Sequence, residues 1–419
     1  MQIIFYEYKK AFQSPIFISL LVLFTAYNLF VIHSYSDRKE ELKVVNQIVQ
    51  TYGLEITEQS LQQLQEESAA DLIKLNAITQ KRMQESFSSI EAFLEKNYGG
   101  AENPYTEKEW QFFNESYLKK MYWEQAQVSR QAYEKLDWIK IGESLVADYE
   151  LNEAAGASIR QEAKKLAVRV DALIENNEHQ TWFFAGQVYK MHSLLFRTVF
   201  IHLIIEGMLL IVLATIFITN YEYDQRTQLL SYTTWRGRKL MYDKLSASIL
   251  ASLSILLALF LPTLGFYFIT FDYHELWMTS VNSLLNWEGQ LPYVSWRPLN
   301  YASYFVLSLS VVVLCLLLFS LVAYTIVMLV KNSYFAVIMF GLWFITAFLL
   351  SGFMPRSRLL LAAHFNLSTL ILNPHIFFMG NSRLMMFQYY EGLTLSFWSV
   401  LIVSGVIFTY QKFKRQDIH

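Results

Sequence analysis

Cysteine occurs once in 419 residues, as Cys315. One thiol excludes an intrachain disulfide framework and any Cys-rich zinc or iron–sulfur site. Charge is also scarce: Asp, Glu, Lys and Arg make up 17% of the chain, against roughly 25% in a soluble domain. A soluble protein of two or three domains, which the length alone would suggest, is therefore excluded. Neither sign of charge dominates, and a net charge of −2 gives no footprint for nucleic acid. No G-x-x-x-x-G-K-[ST] phosphate loop is present, so the chain does not bind and hydrolyse ATP by that route. There is no G-x-S-x-G elbow and no H-E-x-x-H pair, and nothing positive points to an enzyme.

What the chain has is long apolar runs. Hydrophobic residues make up 54%, and six stretches reach the roughly 20 residues that cross a hydrocarbon core: 15–33, 197–219, 245–270, 302–330, 335–354 and 394–411. The first follows Lys9 and Lys10 and lacks a small-residue cleavage signature, so it reads as a retained signal anchor. The fourth and fifth are separated by Lys331-Asn332-Ser333 alone, enough for a tight turn. With the N-terminus inside, the inner segments hold eleven basic residues and the two short outer loops four (Arg297, Arg356, Arg358, Arg383), which places both termini in the cytoplasm. The expected fold is an all-α membrane protein with six transmembrane helices and a helical extracellular domain between the first and second. Its divisions are residues 1–33 (a surface helix and the first span), 34–196 (the outer domain), 197–411 (spans two to six) and a tail, 412–419.

The outer domain, counted to Arg197, carries nineteen basic and twenty-six acidic residues, a net charge of about −7. Helical spacing of Met83, Phe87, Ile90 and Leu94, and of Trp110, Phe113, Tyr117 and Met121, predicts two long helices joined near 97–104. A further helix is expected through 150–180. Five of the six spans are free of charge, and the second is the exception. His202 and Glu206, at i and i+4, share one helix face, with Glu206 near the bilayer midplane. A carboxylate there is costly and faces protein or water. Three roles stay open: a structural hydrogen bond within the pair or to a neighbouring span, a polar point on a transport path, or proton or metal coupling. A third metal ligand is lacking. His274 with Asp272 and Glu275 marks a turn at the mouth of span three, a cation site or simply solvated, while His364 and His375 read as interfacial. Tyr221, Trp277, Trp296 and Tyr410, at span ends, are expected in an aromatic belt.

The inner loop 221–244, YEYDQRTQLLSYTTWRGRKLMYDK, reads as a short amphipathic helix on the membrane face. Its residue types alone fit a polybasic loop against anionic head groups. The order Glu222, Thr227, Leu229-Leu230-Ser231, Arg236, Lys244 resembles the loop of ABC-2 type permeases, the membrane subunits of a class of ABC exporters. Arg226 stands where that family prefers Gly, and Thr233 where it prefers Pro. The N-terminal IFYEYKKAFQSP resembles the family's elbow helix, and 355–393, with the apolar stretch 359–372 closed by Asn373-Pro374, occupies the place of its re-entrant outer segment. The resemblance covers the membrane half of the chain, about 250 residues.

The resemblance implies a permease of a bacterial cytoplasmic membrane, paired with a second copy or a sister permease, spans two and five lining the seam. ATP and Mg would belong to a separate cytoplasmic ATPase docked on 221–244 through Glu222, Arg226, Thr227, Arg236 and Lys244. An acidic outer domain suits cationic cargo, so an antimicrobial peptide, a bacteriocin or a drug is the expected substrate class. The alternative class is a sensor or scaffold whose outer domain binds a ligand without transport; the short inner segments offer no signalling module to support it.

Overall fold

The computed structural model describes residues 2–97, 104–185, 193–232 and 237–415. Among them, six helices are long and apolar enough to cross a membrane: Pro15–Ser34, Leu194–Asp224, Gly237–Thr270, Tyr301–Val330, Ser333–Phe353 and Tyr390–Arg415. The chain is a mostly helical, multi-pass membrane protein. Several of these helices outrun the expected spans by up to a few turns, because chain length beyond the apolar run is stabilised by neighbouring helices and not by lipid.

Helix α1 (Gln2–Phe12) precedes α2 (Pro15–Ser34), with Pro15 at the start, where a missing N–H costs nothing. The inserted domain follows as α3 (Lys39–Tyr52), α4 (Glu58–Met83), α5 (Ile90–Asn97), α6 (Glu107–Glu134), α7 (Trp138–Asp148) and α8 (Glu153–Glu175). Thr57 with Ser60 and Thr106 with Glu109 form reciprocal caps, and Asp137 and Asn152 cap the next two helices, so each start is written locally. The helix expected to run from Met83 through Leu94 is instead broken at 84–89. Gln84 is left-handed (φ 58°), and the Asn76 side chain both accepts from the Phe87 N–H (2.8 Å) and donates to its carbonyl (3.0 Å), folding the chain back. The joint expected at 97–104 falls largely outside the described residues.

The membrane half continues with α9 (Phe200–Asp224), entered through a wide turn at Leu194–Val199, then a one-turn helix α10 (Gln228–Tyr232) and α11 (Leu240–Thr270). Next come α12 (Tyr301–Val330), α13 (Ser333–Phe353), the short α14 (Arg358–His364) and α15 (Leu367–Ile371), and α16 (Tyr390–Arg415). Lys331 at φ 54° ends α12 and the Asn332 side chain caps α13, making the expected tight turn. Helix α9 is the hub, packed on α11 and α12. Ala247, Ser248, Ala251 and Ser252, buried on one face of α11, are small enough to let the two backbones approach. At the other extreme, α13 buries only Ala336 and Phe340.

The domain is not a free-standing insertion. The 271–300 connection, which holds a two-residue antiparallel hairpin (β1 Trp287–Glu288, β2 Leu291–Pro292), is threaded into its base. Asn46 donates to the Asp272 carbonyl (2.7 Å) and accepts from the Glu275 N–H (3.1 Å); Ser283 donates to the Thr181 carbonyl (2.6 Å) and Leu284 N–H to that of His179 (2.8 Å). Arg169, paired with Glu178, reaches the Ser295 carbonyl (3.1 Å). Only the far end, where Leu75, Ile90, Phe93, Tyr105 and Phe113 cluster, has a core of its own.

Candidate functional site

At the end of the bundle that carries both termini, four charges from three helices meet. Glu222, in the last turn of α9, is paired with Lys244, near the start of α11, whose ammonium also donates to the Ile218 (2.8 Å) and Thr219 (3.1 Å) carbonyls. From α1, Lys10 donates to Glu7 (2.7 Å) and to the second oxygen of Glu222 (3.1 Å), and sits 4.2 Å above the Tyr221 ring. Glu7 closes the group, 3.9 Å from Lys244. Glu7, Glu222 and Lys244 are all buried. Burial works to lower the Lys10 pKa, but the Glu7 hydrogen bond and charge, with Glu222, outweigh it and hold the ammonium above its ordinary value. Charge so deep is tolerable only because each group is matched.

Of the expected docking set, Glu222 and Lys244 face their own chain and belong to the long helices. Among the described residues of 221–244, the helix between the two long ones is the single turn of α10, and both ends of the segment belong to α9 and α11. Arg226 and Thr227 are exposed, as are Leu229 and Leu230. Arg236 and Thr233 lie outside the described residues. Arg226 has φ 56°, a conformation glycine adopts freely, and the turn is closed by the Thr227 N–H bonding to the Glu222 carbonyl (2.8 Å). Behind the exposed tip, Tyr232 is buried against Phe413 of α16, ring centroids 5.3 Å apart.

At the second expected site, Glu206 bonds to a neighbouring span, one of the arrangements its position left open. Glu206 is buried on α9, and its partner is Asn28 of α2, whose Nδ2 donates at 2.6 Å. His202 packs its ring on Tyr27 of the same helix (5.2 Å). Shared helix face therefore did not mean shared bond; both residues tie α9 to α2. Asn28, like Glu7, was missed in the sequence, although a lone carboxamide inside an apolar span was the available signal. Between the two sites, Thr215 and Ser320 hydroxyls bond at 2.8 Å and Ser252 donates to Ser320 (3.2 Å), a hydroxyl contact joining α9, α11 and α12.

The remaining expectations divide. His274 lies on an exposed turn, 3.1 Å from Glu275. Among the described residues no group of three or more His, Cys, Asp or Glu is placed to hold a metal ion. Tyr221 and Tyr410 sit under Lys10 and Lys414 at helix ends, but Trp296 is buried and Trp277 packs on Phe268 and Tyr301, so those two indoles serve the core rather than a belt. Tyr390 and Trp398 of α16 donate to the carbonyls of His364 (2.7 Å) and Phe365 (2.9 Å), holding α14 and α15 against the bundle. No known protein family matches this chain, and no curated protein or solved structure is similar enough to it to count as a relative.

Proposed function

We propose that this chain is the permease subunit of an ABC-2 type exporter, driven by ATP hydrolysed on a separate cytoplasmic subunit. The observation that carries the reading is a segment anchored at both ends and exposed in the middle. Glu222 and Lys244 fix its ends with buried charge, Tyr232 fixes its interior, and Arg226, Thr227, Leu229 and Leu230 stand outward between them. Force applied to such a tip moves α9 and α11 together, and α1 with them through Lys10. The order of elements supports the same reading: a surface helix, six long apolar helices, the domain after the first and two short helices between the fifth and sixth.

On this reading the termini and α10 face the cytoplasm of a bacterial cell, and the acidic domain lies outside, where it favours cationic cargo such as antimicrobial peptides or bacteriocins. A second copy or sister permease completes the path, and each nucleotide state of the ATPase stabilises a different arrangement of the two halves. Purification of the tagged full chain from its own host tests it. A phosphate-loop ATPase is expected to co-purify, and Leu229→Glu with Leu230→Glu is expected to cut its recovery at least tenfold with melting temperature unchanged. Undiminished recovery sinks the docking assignment.

A further inference from the structure

A cavity of about 650 Å³ opens at the domain end of α13, within the size range of small-molecule sites. One wall is Phe348 and Leu349 of α13, 42% and 47% exposed and continuous with the bare face of that helix. The facing wall is polar and comes from three places: Arg197 at the entry to α9, Asn373 and His375 after α15, and Asn381 with Arg383 in the turn before α16. Arg197 is matched by Glu288. Arg383 has no carboxylate partner among the described residues, and its backbone is held left-handed (φ 55°), which fixes the turn in place. Beside it, Asn381 donates Nδ2 to the Pro292 carbonyl (2.8 Å), while its Oδ1 is buried without a hydrogen-bond partner. An unmatched guanidinium facing an apolar wall suits a ligand with negative charge and an apolar body.

We propose that this cavity holds the head group of an anionic glycerophospholipid of the phosphatidylglycerol kind. Its phosphate lies against Arg383, and the acyl chains run down Phe348 and Leu349 along α13. The apolar wall decides against a free anion, which would leave that surface uncovered. With Arg197 matched by Glu288, which also lines the cavity, Arg383 is the one uncompensated charge among the described residues lining it, and a head group without a cation of its own matches it. Such a lipid bridges α13, the least packed of the long helices, to the 381–385 turn.

The test uses the purified full chain in a neutral detergent, titrated with phosphatidylglycerol, phosphatidylcholine or inorganic phosphate, with binding read by native mass spectrometry and by melting temperature. Phosphatidylglycerol is expected to bind at least tenfold tighter than phosphatidylcholine. Arg383→Gly, which suits the positive φ, is expected to weaken it about tenfold, roughly the 1.4 kcal/mol of one charge-assisted contact, while Arg297→Ala outside the cavity leaves it unchanged. Arg383→Gln reads the same loss if the glycine variant folds poorly. Equal binding of the two lipids, or undiminished binding by both Arg383 variants, overturns the site. Inorganic phosphate reproducing the melting shift overturns the lipid assignment.

Discussion

Helix α9 carries two buried glutamates sixteen residues apart, and they are held in opposite ways. Glu222 meets two ammonium groups and lies within a four-charge cluster, whereas Glu206 meets one neutral carboxamide, Asn28, at 2.6 Å. The first is a joint: three helices depend on it, and removing one partner strands the others. The second is a tie between two helices, with no cation to match a full charge. A carboxyl group in a membrane is thus no single kind of feature; what it does is set by the partner that tertiary packing brings to it.

Breaking the cluster gives the largest expected effect. Lys244→Met leaves the buried Glu222 and Glu7 sharing Lys10 as their one cation and is expected to cost about 3–5 kcal/mol, read as lost yield and a lowered melting temperature of the full chain. Adding Glu222→Gln is expected to recover most of that loss; no recovery would mean that Lys244 acts chiefly through the Ile218 and Thr219 carbonyls. At the other glutamate, Glu206→Leu leaves Asn28 without its acceptor and is expected to cost about 1–3 kcal/mol, while Glu206→Gln keeps an acceptor and stays within about 1 kcal/mol. Equal damage from both substitutions would collapse the contrast and make the charge itself essential. On the proposed exporter reading, a Glu206→Gln chain that retains assembly and loses export would place the residue on the transport path. Smallest is Arg226→Gly, expected to stabilise by at most about 1 kcal/mol by relieving a left-handed non-glycine residue, and checked by the same melting measurement.

Much of the architecture was legible because membrane crossing imposes a length and an apolarity on contiguous residues. All six long helices, the 331–333 turn and the helix within 150–180 follow from that and from caps such as Asn332. The break at 84–89 was not legible, since it depends on Asn76 reaching eleven residues along the chain to Phe87. Nor was the threading of 271–300 into the domain base, which rests on bonds such as Asn46 to Asp272 across 226 positions. At the candidate site, residue order identified Glu222 and Lys244 as notable but suggested that they face outward. Their burial follows from the arrival of α1, whose Glu7 and Lys10 carried no such mark.

The sequence by itself determined which six stretches are long and apolar enough to cross a membrane, because hydrophobicity summed over twenty neighbours needs no partner to take effect. It also determined those helix starts, such as at Thr57, Thr106 and Asn152, that are set by a side chain within three residues of the backbone it caps. Tertiary structure alone decided which polar groups meet: that Glu206 finds Asn28 instead of His202, that Glu222 is a joint rather than a handle, and that α13 is left bare. Those outcomes depend on distances between residues far apart in the chain, and a hydrogen bond or ion pair is defined over about 3 Å.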